Sequence, residues 1–156
     1  MIWELVTHLG DYWFVTIVAI GIWLRYERDG GPWPVVVVLG AIGLVTLLKM
    51  TFAVPRPPGA ETGGYAFPSG HALGATVAYG LLALEIGTRR AGLAAVAVIT
   101  IVASSRVAIG VHYPIDVAVG VGVGLTYLVI ALAMVGRLKM ADVRTDLAVL
   151  DGGIHE

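Results

Sequence analysis

Lys49, Arg56, His71, Arg106, His112 and Asp116 are polar residues in a chain that is otherwise strongly apolar. His112 and Asp116 are four residues apart, a spacing that puts both on one face of a helix, one turn from each other. With Asp116 accepting from one ring nitrogen, the other nitrogen of His112 stays unprotonated and can act as a nucleophile or a base. His71 follows Pro68, Ser69 and Gly70 at the start of an apolar run, where the free amides of a helix N-terminus can hold anionic oxygens. Lys49, Arg56 and Arg106 set three positive charges against the one carboxylate of Asp116. That surplus suits an anion, and a phosphate meets the requirement.

Taken alone, all of these residues but Arg106, which falls within an apolar run, also have an ordinary explanation. Lys49 or Arg56 alone reads as an interfacial anchor snorkelling to water, Ser69 as a helix cap, and His112 with Asp116 as a structural pair. The joint pattern favours chemistry, because the cations converge on one face. His8 and His155 lack such company and are assigned no role.

The elements that must position these residues are membrane helices. Of the 156 residues 58% are hydrophobic and 13% charged, and the mean hydropathy is +0.87. A water-exposed surface would not tolerate that balance, so the solvent is lipid. The fold class expected is all-α, a polytopic helical bundle of about five spans. They run from Asp11 to Tyr26, Val35 to Phe52, Ser69 to Gly87, Ala91 to Ile109 and Pro114 to Val135. Ile2, Trp3, Leu5, Val6 and Leu9 are spaced for a short helix lying along the membrane surface before the first span. No cleavage site follows the first apolar run, so this segment is expected to be retained. Pro55, Pro57, Pro58, Gly59, Gly63, Gly64 and Pro68 make 53–68 the longest loop. The domain division expected is a membrane-embedded unit over 1–140 and a polar cytoplasmic tail over 141–156.

Span ends fix a common side. The second and fourth spans end where the third and fifth begin, so the six polar residues named at the outset share one membrane face. Gly120, Gly122 and Gly124 resemble a nucleotide loop only superficially; no strand precedes them, and inside an apolar helix they read as packing residues. The net charge of −1 gives no field for nucleic acid. The absence of cysteine removes disulfides, thiolate metal sites and cysteine nucleophiles.

These residues resemble the signatures of the type 2 phosphatidic acid phosphatase superfamily, in its membrane lipid phosphatase branch. Lys49, six residues, then Arg56-Pro57 is similar to the first signature, and Pro68-Ser69-Gly70-His71 to the second. Ser105-Arg106, five residues, His112, three more, then Asp116 resembles the third. The signatures span 49–116, less than half the chain. Members often have six spans, so five plus a surface helix departs from that pattern and bears on the N-terminal architecture. The resemblance implies that His112 attacks phosphorus and becomes a phosphohistidine, that Asp116 orients its ring, and that His71 protonates the leaving oxygen and then activates water. It implies that Lys49, Arg56, Arg106, Ser69 and the amide of Gly70 hold the phosphoryl oxygens, with no metal and no cofactor.

Arg25, Arg28, Arg89, Arg90, Arg137, Lys139 and Arg144 border the opposite face, seven basic residues against the three of the motif face. By the positive-inside rule that opposite face is cytoplasmic, which sends the N-terminus and the catalytic face outward at the cell membrane and the C-terminus inward. The partners expected are the bilayer and a lipid substrate: phosphatidic acid, phosphatidylglycerophosphate or polyprenyl diphosphate, the last favoured by the outward face. Two rival readings are a phosphotransferase with an alcohol acceptor, using the same residues, and a channel or carrier whose polar cluster lines an ion path. A haloperoxidase, of the vanadium type that the resembled superfamily also includes, fits less well, since those members are soluble.

Overall fold

The computed structural model describes residues 2–27 and 30–152, with side chains described up to residue 136. The order is α1 (Ile2–Thr7), a 3-10 turn (His8–Gly10), α2 (Tyr12–Tyr26), α3 (Trp33–Phe52), α4 (Gly70–Ile86), α5 (Arg89–Ala108) and α6 (Pro114–Gly152). The boundaries follow local chemistry. Pro34 sits in the first turn of α3 and Pro114 opens α6, where a missing N–H costs nothing. Gly87 ends α4 at φ 68°, and the Thr88 side chain accepts the Ala91 amide at 3.2 Å to start α5.

α4 is the central rod and packs against α2, α3, α5 and α6. Its residues Ala72 to Ala78 are all buried, as expected of a helix with neighbours on every side. Val15 and Ala19 of α2, Val37, Val38, Ala41 and Val45 of α3, and Leu73, Val77 and Ala78 of α4 form the largest apolar cluster. The outside carries the bulkier apolar side chains, among them Leu39, Leu47, Leu93, Val96, Val129 and Ile130. Small residues inside and large apolar residues outside mark a bundle solvated by lipid.

Trp33–Phe52, Arg89–Ala108 and Pro114–Gly136 are each long and apolar enough to cross a membrane. At 20 residues a helix extends about 30 Å, the thickness of a bilayer's hydrocarbon core. Gly70–Ile86 is shorter, and Ile2–Gly10 joins Tyr12–Tyr26 through a bend of 51°. The surface helix expected before the first span is therefore the near arm of a bent pair, and it packs on α5. The sixth helix continues past the expected end at Val135 to Gly152. The polar, exposed character expected of 141–156 concerns side chains outside the described ones.

Gly120 and Gly124 are packing residues, as their place in an apolar helix predicts. A Cβ on Gly120 would meet the Ser69 carbonyl oxygen at 2.6 Å, and one on Gly124 would meet Thr76 Cβ at 2.9 Å. Gly122 differs, with nothing within 4 Å of the same position.

Candidate active site

Four helix ends and one loop build the site. The backbone amide of Ser69 donates to the Asp116 carbonyl at 2.9 Å, joining the start of α4 to the start of α6. The amides of Val111 and His112 both reach the Arg106 carbonyl at 3.2 Å, folding the α5–α6 connection back over the end of α5. His112 is thereby held beneath the surface, with 3% of its area exposed, beside Asp116 at 2% and Arg106 at 7%. Charged groups buried to that degree need partners or a ligand.

The two ring nitrogens of His112 have different neighbours. Nδ1 faces Asp116 Oδ2 at 3.4 Å, and Nε2 faces Arg56 Nη1 at 3.4 Å. A carboxylate only accepts and a guanidinium only donates, so both neighbours assign the same tautomer, with the proton on Nδ1 and the lone pair on Nε2. Asp116 Oδ2 also accepts the Tyr113 amide at 2.8 Å, which fixes the carboxylate. Burial first, then the charges of Lys49, Arg56 and Arg106, lower the His112 pKa to about 3. Its imidazole is neutral at neutral pH, the form with a free lone pair.

The loop expected at 53–68 carries Arg56. Its Nε donates to the Gly63 carbonyl at 3.0 Å and its Nη1 to the Val111 carbonyl at 2.9 Å, so the guanidinium bridges the loop and the α5–α6 connection. Lys49, in the last turn of α3, donates to the carbonyls of Tyr65 and Ala66. The Ala66 amide reaches the Val54 carbonyl at 2.9 Å, so both ends of the loop are anchored.

At the start of α4, Ser69 is the N-cap, yet its side chain makes no capping bond. Its hydroxyl and the Nε of Arg106 are buried without a hydrogen-bond partner among the described residues. Buried donors without acceptors are unfavourable unless a ligand completes them. Together with the open amides of the first turn of α4 they offer hydrogen bonds to an oxyanion.

His71 has a carboxylate partner of its own, distinct from Asp116. Its Nε2 lies 2.8 Å from Asp11 Oδ1. Arg106 Nη1 donates to the Thr7 hydroxyl. The expectation of a single carboxylate is corrected here, because Asp11 is a second one. His8, assigned no role from sequence, lies 2.7 Å from Asp11 Oδ2. The signal was present: if the N-terminus lies on the catalytic side, the start of the first span lies there too, and Asp11 marks that start. Its isolation among apolar residues hid it. Among the described residues no group of three or more His, Cys, Asp or Glu side chains is placed to hold a metal ion.

A neutral imidazole flanked by a carboxylate and three cations, with a second imidazole nearby, can pass a phosphoryl group through a nitrogen. Residues 31–140 match the family described as the PAP2 superfamily. Among solved structures, the chain is similar to a transmembrane PAP2 type phosphatidylglycerolphosphate phosphatase from Bacillus subtilis. The two share 25% identity and a TM-score of 0.72, over 87% of this chain and 76% of the other. It is also similar in fold to LpxE of Aquifex aeolicus, at 20% identity and a TM-score of 0.64, over 85% and 84% of the two chains. No curated protein is a match for it in sequence.

Proposed function

The chain belongs to the PAP2 superfamily as a membrane lipid phosphatase, and on that footing we propose that it hydrolyses its substrate through a phosphohistidine on His112. In the first step His112 Nε2 forms a bond to phosphorus while the bond from phosphorus to the leaving oxygen breaks. His71 gives that oxygen a proton. In the second step water attacks the phosphohistidine, His71 takes the proton from water, and inorganic phosphate leaves. Asp116 orients the His112 ring and stabilises the charge it gains. Lys49, Arg56, Arg106, Ser69 and the Gly70 amide hold the three phosphoryl oxygens, over which charge spreads in the transition state. The observation that carries this reading is the placement of the His112 ring, with Asp116 3.4 Å from Nδ1 and Arg56 3.4 Å from Nε2.

A site at the end of a lipid-solvated bundle suits a substrate whose phosphate lies at headgroup level and whose tail stays in the bilayer. Phosphatidic acid, phosphatidylglycerophosphate and polyprenyl diphosphate meet that description. The distribution of basic residues favours an extracytoplasmic site with residues 141–156 as a cytoplasmic tail. On that face polyprenyl diphosphate is the substrate of choice, since the carrier is released there after glycan transfer.

The test is purified protein in detergent with EDTA, assayed for phosphate release against those three lipids. Wild type is expected to release stoichiometric phosphate without added metal, and His112→Ala to release none. Turnover that required an alcohol acceptor would assign a phosphotransferase instead, and activity persisting in His112→Ala would remove the nucleophile from this role.

A further inference from the structure

Asp11 is the N-cap of α2, a position where a carboxylate ordinarily accepts the amides of its own helix. Here its side chain makes no capping bond. Oδ1 lies 2.8 Å from His71 Nε2, while Oδ2 lies 2.7 Å from His8 Nδ1 and accepts the Trp13 indole N–H at 3.1 Å. One carboxylate oxygen is thus pinned by two neighbours in sequence, and the other reaches 60 residues along the chain to a histidine on α4.

The surrounding segment is locked to the site by further contacts. Arg106 donates to Thr7, and the Tyr79 hydroxyl donates to the Leu9 carbonyl at 2.9 Å. Gly10 lies against His71 so closely that a Cβ there would stand 3.2 Å from its Cδ2. The Cδ2–Nε2 edge of the His71 ring therefore faces residues 10 and 11, and the Nδ1–Cε1 edge faces away from them. These residues lie outside the segment 31–140 matched by the family.

Resting on the phosphohistidine reading above, we propose that Asp11 is the positioning residue for His71: it holds the Nε2 proton through both steps and confines proton exchange to Nδ1. For the first step His71 must carry a second proton, taken up as the anionic phosphate binds beside it, so that Nε2–H lies on Asp11 and Nδ1–H points toward the leaving oxygen. When the bond from phosphorus to that oxygen breaks, the Nδ1 proton goes to the oxygen and the ring becomes neutral with Nε2–H still on Asp11. Its Nδ1 lone pair then accepts a proton from the attacking water, and the imidazolium is restored. A lone carboxylate on Nε2 gives the ring one orientation and one exchangeable nitrogen in both halves of the cycle.

The test compares Asp11→Asn, Asp11→Glu, His71→Ala and wild type on two substrates, a lipid phosphate and p-nitrophenyl phosphate. The quantity read is kcat/KM, which covers steps only through departure of the first leaving group. A lipid alkoxide needs a proton to leave, and p-nitrophenolate does not. Asp11→Asn is expected to lose about 10²-fold on the lipid phosphate, the scale of general acid catalysis, and several-fold less on the aryl ester. His71→Ala should show the same imbalance, and Asp11→Glu should recover part of the loss. Retained activity on the aryl ester also establishes that each variant is folded. Equal losses of Asp11→Asn on both substrates, or none on either while His71→Ala is impaired, would overturn the role of Asp11 and leave the phosphohistidine reading standing. Full activity of His112→Ala on both substrates would instead remove the reading beneath it.

Discussion

Asp116 Oδ2 stands 3.4 Å from His112 Nδ1, and the same oxygen accepts the amide of Tyr113 at 2.8 Å. The carboxylate is therefore fixed by backbone before it acts on the ring, and its separation from the imidazole leaves room to tighten when the ring gains charge. An amide in its place keeps the shape, loses the charge and can present a donor to Nδ1. Asp116→Asn is expected to lower kcat by about 10²-fold or more, as removal of a transition-state interaction does, with a smaller change in KM. Steady-state kinetics on a lipid phosphate would check this; a change confined to KM would count against an orienting role.

The low pKa of His112, about 3, comes first from burial and next from Lys49, Arg56 and Arg106. A depressed imidazole pKa favours the neutral ring, so the lone pair on Nε2 is available from mildly acidic pH upward. Removing Lys49, the leading charge among these causes, relieves repulsion of the imidazolium and must move the pKa up. NMR titration of histidine-labelled protein, with His112→Ala to assign the resonance, should find no His112 titration above about pH 5 in wild type. Lys49→Met should move the midpoint upward. A wild-type midpoint near 6.5, the ordinary histidine value, would contradict the burial of the ring and the placement of the cations around it.

Much of this was legible in the sequence because membrane helices leave few places for charge. Span ends put Lys49, Arg56, His71, Arg106, His112 and Asp116 on one face, and the bundle carries them there. Small residues inside an apolar helix gave the packing of Gly120 and Gly124 on α4. Periodicity could not show that α1 bends back onto α5, because the 51° break depends on tertiary contacts such as Thr7 with Arg106. Asp11 escaped notice for a related reason. Its partner His71 is 60 residues away, and no local spacing links them. Gly122 shows the limit of reading three glycines as one pattern, since it packs on nothing within 4 Å.

The chain contains no cysteine, so a single introduced thiol reports its own side of the membrane without a background. Thr62 is exposed in the loop that carries Arg56, and Thr88 is exposed in the connection at the far end of α4. If the motif face is extracytoplasmic, Thr62→Cys in intact cells should react with a membrane-impermeant maleimide and Thr88→Cys should react only after lysis. The reverse pattern would place the site in the cytoplasm and withdraw the preference for polyprenyl diphosphate.

Gly120 couples helix packing to the site, because the atom its missing side chain makes room for is the carbonyl of Ser69, 2.6 Å from where a Cβ would stand. Backbone cannot swing aside as a flexible side chain does, so Gly120→Ala must push α6 from the start of α4. Overpacking of this kind costs about 1–3 kcal/mol. The displaced element includes Ser69, whose amide bonds the Asp116 carbonyl at 2.9 Å, so the strain falls on the junction that sets His112 and His71 relative to each other. Gly124→Ala meets Thr76 Cβ at 2.9 Å and the Leu73 carbonyl at 3.0 Å, a turn further from the site. It should destabilise the bundle with less effect on the activity of the folded fraction. Gly122→Ala adds a methyl to open space and gains helix propensity, so it should leave both stability and activity at or above wild type. Thermal unfolding in detergent with activity measured on the same samples would order the three variants. Equal behaviour of Gly120→Ala and Gly122→Ala would show that α6 does not seat against Ser69 in the working enzyme.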